Sequence, residues 1–151
     1  MGNEFEEELN LIQDTYIKEW TRQSLNNAPA YFWTAQASST GKYHPQCTCK
    51  VGGLLIHVKR AVYIGNRLCE GWDIKGIDKD IVISALLLHD IAKVPNKGNN
   101  YEDYINHPLN ARKYLVSPPP GYSKICGKII EAIENHMGLY SPPTHKKLLK
   151  N

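Results

Sequence analysis

An apolar run from Ile81 to Leu88 ends on an adjacent His89-Asp90 pair, followed by Ile91, Ala92 and Lys93. No other stretch constrains the fold as strongly. The run is apolar nearly all the way round, as expected of a helix buried on most faces. Its length, Ala85 and its leucines favour a helix over a buried strand. It delivers a histidine and a carboxylate to the interior, where an unpartnered carboxylate costs on the order of several kcal/mol. The pair therefore calls for a cation, supplied by a metal ion or a salt bridge. His57, His107 and His136 are the candidates to join it.

The remaining periodicity is helical. Phe5, Leu9, Ile12, Tyr16 and Trp20 recur every three or four residues and predict a helix over 4–25, ended by Asn26-Asn27-Ala28-Pro29. A second helix is expected over 54–70. There His57 shares a face with Leu54, Ala61 and Ile64 and looks inward, while Ala61 and Gly65 are small enough to admit a neighbouring helix. Gly71 to Gly76 is a turn, and Asp78 or Asp80 is expected to cap the central helix, which runs to about Lys93. His107-Pro108 opens a helix to about Leu115 with proline at its first position. The last helix is expected over 123–137, with His136 on the face of Ile129, Ala132 and Ile133 and Gly138 as C-cap. Residues 28–52 read as a long non-helical segment whose aromatics, Tyr31, Phe32, Trp33 and Tyr43, argue for packing. No strand pattern appears. The expectation is one compact all-α domain over 1–151 with roughly five main helices: an N-terminal helix and long loop (1–52), a core (53–138) and a tail (139–151).

Composition narrows the function classes. A chain of 151 residues can bury a real core. No apolar run approaches the roughly 20 residues of a membrane span. The acidic start, Glu4 and Glu6 to Glu8, is the opposite of a secretory signal, so a cytoplasmic protein is expected. The four cysteines include one C-x-C, Cys47 and Cys49, with no second pair to complete a zinc ribbon, and read as free buried thiols. The net charge of +3 owes much to Lys146, Lys147 and Lys150, and no dense basic stripe indicates duplex nucleic acid.

Imidazole and carboxylate together form a mixed N/O ligand set suited to a divalent transition metal (Mn, Fe, Co, Ni or Zn), as one or two ions. Lys93, three residues after Asp90, can offer a point charge to a phosphate. In order and spacing, His57, His89-Asp90-Ile91-Ala92-Lys93, His107-Pro108 and His136-Met137-Gly138 resemble the HD-domain superfamily of metal-dependent phosphohydrolases. The resemblance covers about Leu54 to Gly138 and implies an all-α fold. It implies one metal held by His57, His89 and Asp90, and a second held by Asp90, His107 and His136. Asp90 and Lys93 would be the catalytic pair, with Lys93 touching phosphate. The family pattern usually closes with a later aspartate ligand, and this chain has no aspartate after Asp103; Asp103, Glu102 and Glu134 are the candidate replacements.

On the substrate side, Ser39, Thr40, Lys42, Tyr43 and His44 lie just before the helix of His57 and suit phosphate or sugar recognition, without Walker A spacing. Trp33, Tyr43 and Tyr101 are candidates to stack on a base. The expected activity is hydrolysis of a phosphoester in a small phosphorylated compound, a nucleotide by family resemblance, with metal-activated water. A cyclic- or dinucleotide phosphodiesterase and a single-strand nuclease are the enzymatic alternatives. A degenerate metal- or nucleotide-binding regulatory module is the alternative of another class.

Overall fold

A computed structural model describes residues 4–38, 44–94 and 101–138. Among these, all regular structure is helical: α1 (Glu6–Leu9), α2 (Thr15–Asn26), α3 (Gly53–Gly71), α4 (Gly76–Leu88), α5 (Tyr101–Ile105), α6 (His107–Asn110) and α7 (Ser123–Asn135). Short 3-10 turns occupy Ala30–Trp33, Gln46–Thr48 and Ala111–Lys113. The expected all-α architecture is therefore present. No described helix is long and apolar enough to cross a membrane.

Helix α4 is the hub, packed on α1, α2, α3 and α7. Ile83, Leu87, Leu88 and Ile91 are fully buried, together with Ile17, Trp20, Phe32, Leu54 and Ile129 from the surrounding elements. The α3–α4 contact is close because residue 65 is glycine. A Cβ there would lie 2.2 Å from Leu86 Cδ1, which is the close approach its small size anticipated.

Several boundaries differ from expectation, each for a local reason. The expected helix over 4–25 is two helices. Asp14 stops it by capping α2, its carboxylate accepting from the Tyr16 and Ile17 amides. Asp80 does not cap the start of α4, which begins at Gly76 after Lys75 with no side-chain cap. It is buried within α4 and accepts from the Gln13 and Asp14 amides at 3.0 and 2.9 Å. Asp80 thus satisfies the backbone at the α1–α2 break, a role invisible in local sequence. α4 also ends at Leu88 rather than Lys93. The residues beyond it form tight turns, with Lys93 N–H donating to Asp90 O at 2.9 Å. The helix expected to Leu115 is the four-residue α6 followed by a 3-10 turn.

Two faces also need correcting. On α3 the buried line is Leu54, Val58, Val62 and Cys69, so His57 lies at its margin and Ile64 is exposed. Of the cysteines, Cys69 and Cys126 are buried, but Cys47 is exposed and Cys49 partly so; all four are free. The long segment packs as its aromatics suggested: Phe32 is fully buried, and Tyr31 Oη donates to Ala92 O at 3.3 Å.

Candidate metal centre

Four elements bring their ends to one carboxylate. His57 stands in the first turns of α3, His89 caps the C-terminus of α4, His107 opens α6 and His136 caps the C-terminus of α7. Asp90, on the turn leaving α4, is almost completely buried. Its Oδ2 lies 3.4 Å from both His57 Nε2 and His89 Nε2. Its Oδ1 lies 3.1 Å from His107 Nε2 and 3.5 Å from His136 Nε2. One carboxylate therefore divides four imidazoles into two pairs, one at each oxygen.

The ring orientations show what this arrangement wants. Nδ1 of His89, His107 and His136 lies 2.7, 2.6 and 2.7 Å from the carbonyls of Leu86, Tyr104 and Ile133. A carbonyl can only accept, so each Nδ1 carries a proton and Nε2 is the atom aimed at Asp90, where it is free to ligate in the neutral ring. Within the pairs, Nε2 of His57 and His89 are 3.2 Å apart, and those of His107 and His136 are 3.1 Å apart. Nitrogens this close to one another and to a carboxylate need a proton or a metal cation between them.

The spacing fits a metal. Two donors each about 2.1 Å from an ion, at tetrahedral to right angles, lie roughly 3.0–3.4 Å apart. The donor spacings in both groups, 3.1 to 3.5 Å, match that requirement. Two ligand groups result, His57/His89/Asp90 and Asp90/His107/His136. Both are the sets implied by resemblance.

Electrostatics agree with an ionised aspartate. Burial alone would raise the Asp90 pKa, but His89, the Lys93 charge and the hydrogen-bonding His107 and His136 rings outweigh it and hold the carboxyl well below the usual range. Burial lowers the affinity of His89 for a proton, and the adjacent Asp90 more than reverses this, raising its pKa.

The other site candidates fall into three groups. Lys93 is brought in: it is buried, and its Nζ donates to Asp90 Oδ2 at 3.0 Å. His44 is also brought in, half-buried, its ring 4.9 Å from that of His57 and nearly perpendicular to it. Burial, then the neighbouring Lys93 and His57, lowers its pKa and favours the neutral ring. Ser39, Thr40, Lys42 and Tyr43, and the side chain of Tyr101, lie outside the described residues. Trp33 is not presented for stacking; it packs on Phe5 and Phe32 at the edge of the core.

None of the candidate replacement carboxylates reaches the cluster. Glu134 is buried against Arg112 in a close ion pair, and Glu102 and Asp103 are exposed on α5. Among the described residues, Asp90 is the one carboxylate in either ligand group. Sequence reasoning missed the Arg112–Glu134 pair as a brace tying the α6 region to α7. Its only trace in the sequence is a glutamate directly after Ile133, beside the apolar side of the helix and two residues before His136.

A helical domain whose helix ends deliver histidines around one buried aspartate defines a metal-site class. Residues 54–150 match the HD domain, and the chain belongs to the HD superfamily of metal-dependent phosphohydrolases. No curated protein and no solved structure matches it.

Proposed function

We propose that this chain hydrolyses a phosphoester of a small phosphorylated compound, with a nucleotide as the first substrate class to test. The observation that carries the reading is the division of four histidines between the two oxygens of Asp90, at spacings that suit two divalent ions. His57, His89 and Asp90 would hold one ion; Asp90, His107 and His136 would hold the other. Bound there, divalent ions would lower the pKa of water toward neutrality and polarise a phosphoryl oxygen.

The chain's own residues set up that chemistry. The backbone carbonyls of Leu86, Tyr104 and Ile133 fix three rings in the tautomer that leaves Nε2 free to ligate. Lys93 holds Asp90 in place and adds a fixed positive charge beside the position a phosphate would take. His44, next to the more exposed ligand His57, stands where the site opens and is a candidate to hydrogen-bond substrate. The near-complete burial of Asp90 and His107 keeps these charges little screened.

Metal analysis of the purified protein, followed by phosphate-release assays over a nucleotide panel, tests the reading. Asp90→Asn is the control. Bound transition metal together with Asp90-dependent phosphate release is expected. A protein that binds no divalent metal, or whose phosphate release survives Asp90→Asn, would overturn it.

One observation favours a second reading. Neither ligand group contains a carboxylate other than Asp90 among the described residues. A domain that binds metal or nucleotide without turnover would show metal content with no phosphate release across the panel.

A further inference from the structure

Helix α3 has two apolar faces, and only one is covered. The buried line is Leu54, Val58, Val62 and Cys69. A second line continues from His57 along the helix through Ala61, Ile64, Leu68 and Trp72, spaced four, three, four and four residues apart. Ile64 is 54% exposed, Leu68 47% and Trp72 72%. Trp72 still belongs to the helical line, because its amide donates to Leu68 O at 3.0 Å.

The second line does not stand alone. A Cβ at Gly65 would lie 2.2 Å from Leu86 Cδ1 and 3.8 Å from Val82 Cγ1, so α4 presses on α3 beside it. Val82 and Leu86 are themselves half-buried and extend the apolar surface across the α3–α4 seam. A large aromatic such as Trp72 accounts for about 150–250 Å² when covered. With Ile64, Leu68 and the α4 residues, the surface reaches several hundred Å², the size at which an exposed patch on a soluble protein marks an interaction site.

The bordering charges say what covers it. Arg67 is ion-paired to Glu70 at 2.7 Å, and Lys75 to Asp73 at 2.5 Å; all four are exposed. On α4, Asp78 and Lys79 stand one turn before Val82 with opposite signs. These alternating charges create little net field for an anionic membrane or nucleic acid. They suit a surface that repeats the same alternation, which a two-fold copy supplies: each cation can face the partner's anion, and the reverse. An apolar centre with this charged border has the two parts of a specific interface, an apolar core and a polar rim.

We infer that the α3–α4 seam at Ile64, Leu68, Trp72, Val82 and Leu86 is the two-fold interface of a homodimer. The interface begins two turns beyond His57 on the same helical line, so each partner lies toward the exposed edge of a candidate metal centre.

Sedimentation equilibrium of the full chain, from nanomolar to high micromolar concentration, tests this. A species of about twice the 17.1 kDa chain mass is expected. Leu68→Glu and Trp72→Ser should each raise the dimer dissociation constant, the former by ~100-fold or more. Tyr63→Glu should leave it unchanged, since Tyr63 is 67% exposed on the same helix but turned away from the second line. Trp72→Ser also covers the case in which Leu68→Glu fails to fold, because its side chain contributes little to the core. Among the three tryptophans, Trp72 is the exposed one, so iodide quenching of fluorescence should rise as the dimer is diluted. A chain that stays monomeric throughout overturns the inference. So does a dimer that survives both seam variants, or one broken equally by Tyr63→Glu.

Discussion

The two halves of the candidate metal centre use the same residue types but are held differently. The His107–His136 half is carried by a four-residue helix, with little rigidity of its own, and by the end of α7, which packs on α4. Its order comes from short contacts: both Nδ1 atoms bond a carbonyl three residues earlier, and Arg112–Glu134 braces the α6 region to α7. The His57–His89 half rests on α3, the longest helix, and on α4, which seats against it at Gly65. There His89 has its carbonyl anchor, while His57 has none for Nδ1 among the described residues and is the most exposed of the four rings. One half adds two carbonyl anchors and an ion-pair brace to its packing; the other has one anchor and relies on the α3–α4 seat. The packed half is the one that opens to solvent, with His44 beside it.

The largest effect should come from the group the halves share. Asp90→Ala is expected to empty both groups and reduce any phosphoester hydrolysis well beyond the roughly 10–100-fold typical of supporting residues. It also leaves Lys93 buried without its partner, a loss of about 3–5 kcal/mol for a buried pair. Metal analysis and thermal unfolding read both effects; unchanged metal content would end the shared-carboxylate reading.

Single-ligand variants ask whether the halves are independent. His57→Ala and His136→Ala should each remove about one metal equivalent and leave the opposite group loaded, each lowering the apparent stability gained from bound metal. Loss of all metal from either variant would instead show one ion spanning the cluster. Metal-to-protein ratios after dialysis distinguish these outcomes.

The brace gives a smaller, one-sided effect. Arg112→Ala leaves the buried Glu134 carboxylate without its cation, costing about 1–3 kcal/mol. Metal affinity should fall roughly 10-fold at the His107–His136 group only, as for other residues that support a ligand. Equal weakening of both groups in a metal titration would remove the distinction between a braced and a packed half.

Gly65→Ala should have the smallest effect. The new methyl must displace the tip of Leu86, an overpacking cost of about 1–3 kcal/mol, against roughly 1 kcal/mol gained by replacing a helical glycine. A net loss near 1 kcal/mol is expected. Any change in metal affinity should appear at the His57–His89 group, whose spacing the α3–α4 contact sets.

Much of this was legible in the residues. The helical periods located the helices, and the order His57, His89-Asp90, His107, His136 gave the family and pointed to two candidate ligand groups. Local chemistry also marked Gly65 as a point of close approach; Gly138, expected as the C-cap of the last helix, is left-handed at φ 54° but lies two residues beyond the observed C-cap, His136. The helices and the glycine at 65 depend on residues within one or two turns of each other, and the histidine order is carried by its resemblance to a family motif.

Tertiary structure decided the rest, because the deciding partner is far along the chain. Asp80 resembles a cap for its own helix, yet its carboxylate serves amides 66 and 67 positions away. Glu134 resembles a spare ligand, yet Arg112 claims it. Ile64 follows the helical period of a core face but faces solvent, since α4 seats on Gly65 and Val62 instead takes the interior. Lys93 was placed near the centre by its spacing, but its donation to Asp90 Oδ2 depends on α4 ending at Leu88 and the chain turning beneath it. The division of four imidazoles between two carboxylate oxygens also lies beyond sequence. Spacing along a chain can bring ligands to one neighbourhood, but which oxygen each ring meets is fixed by how four helix ends converge in space.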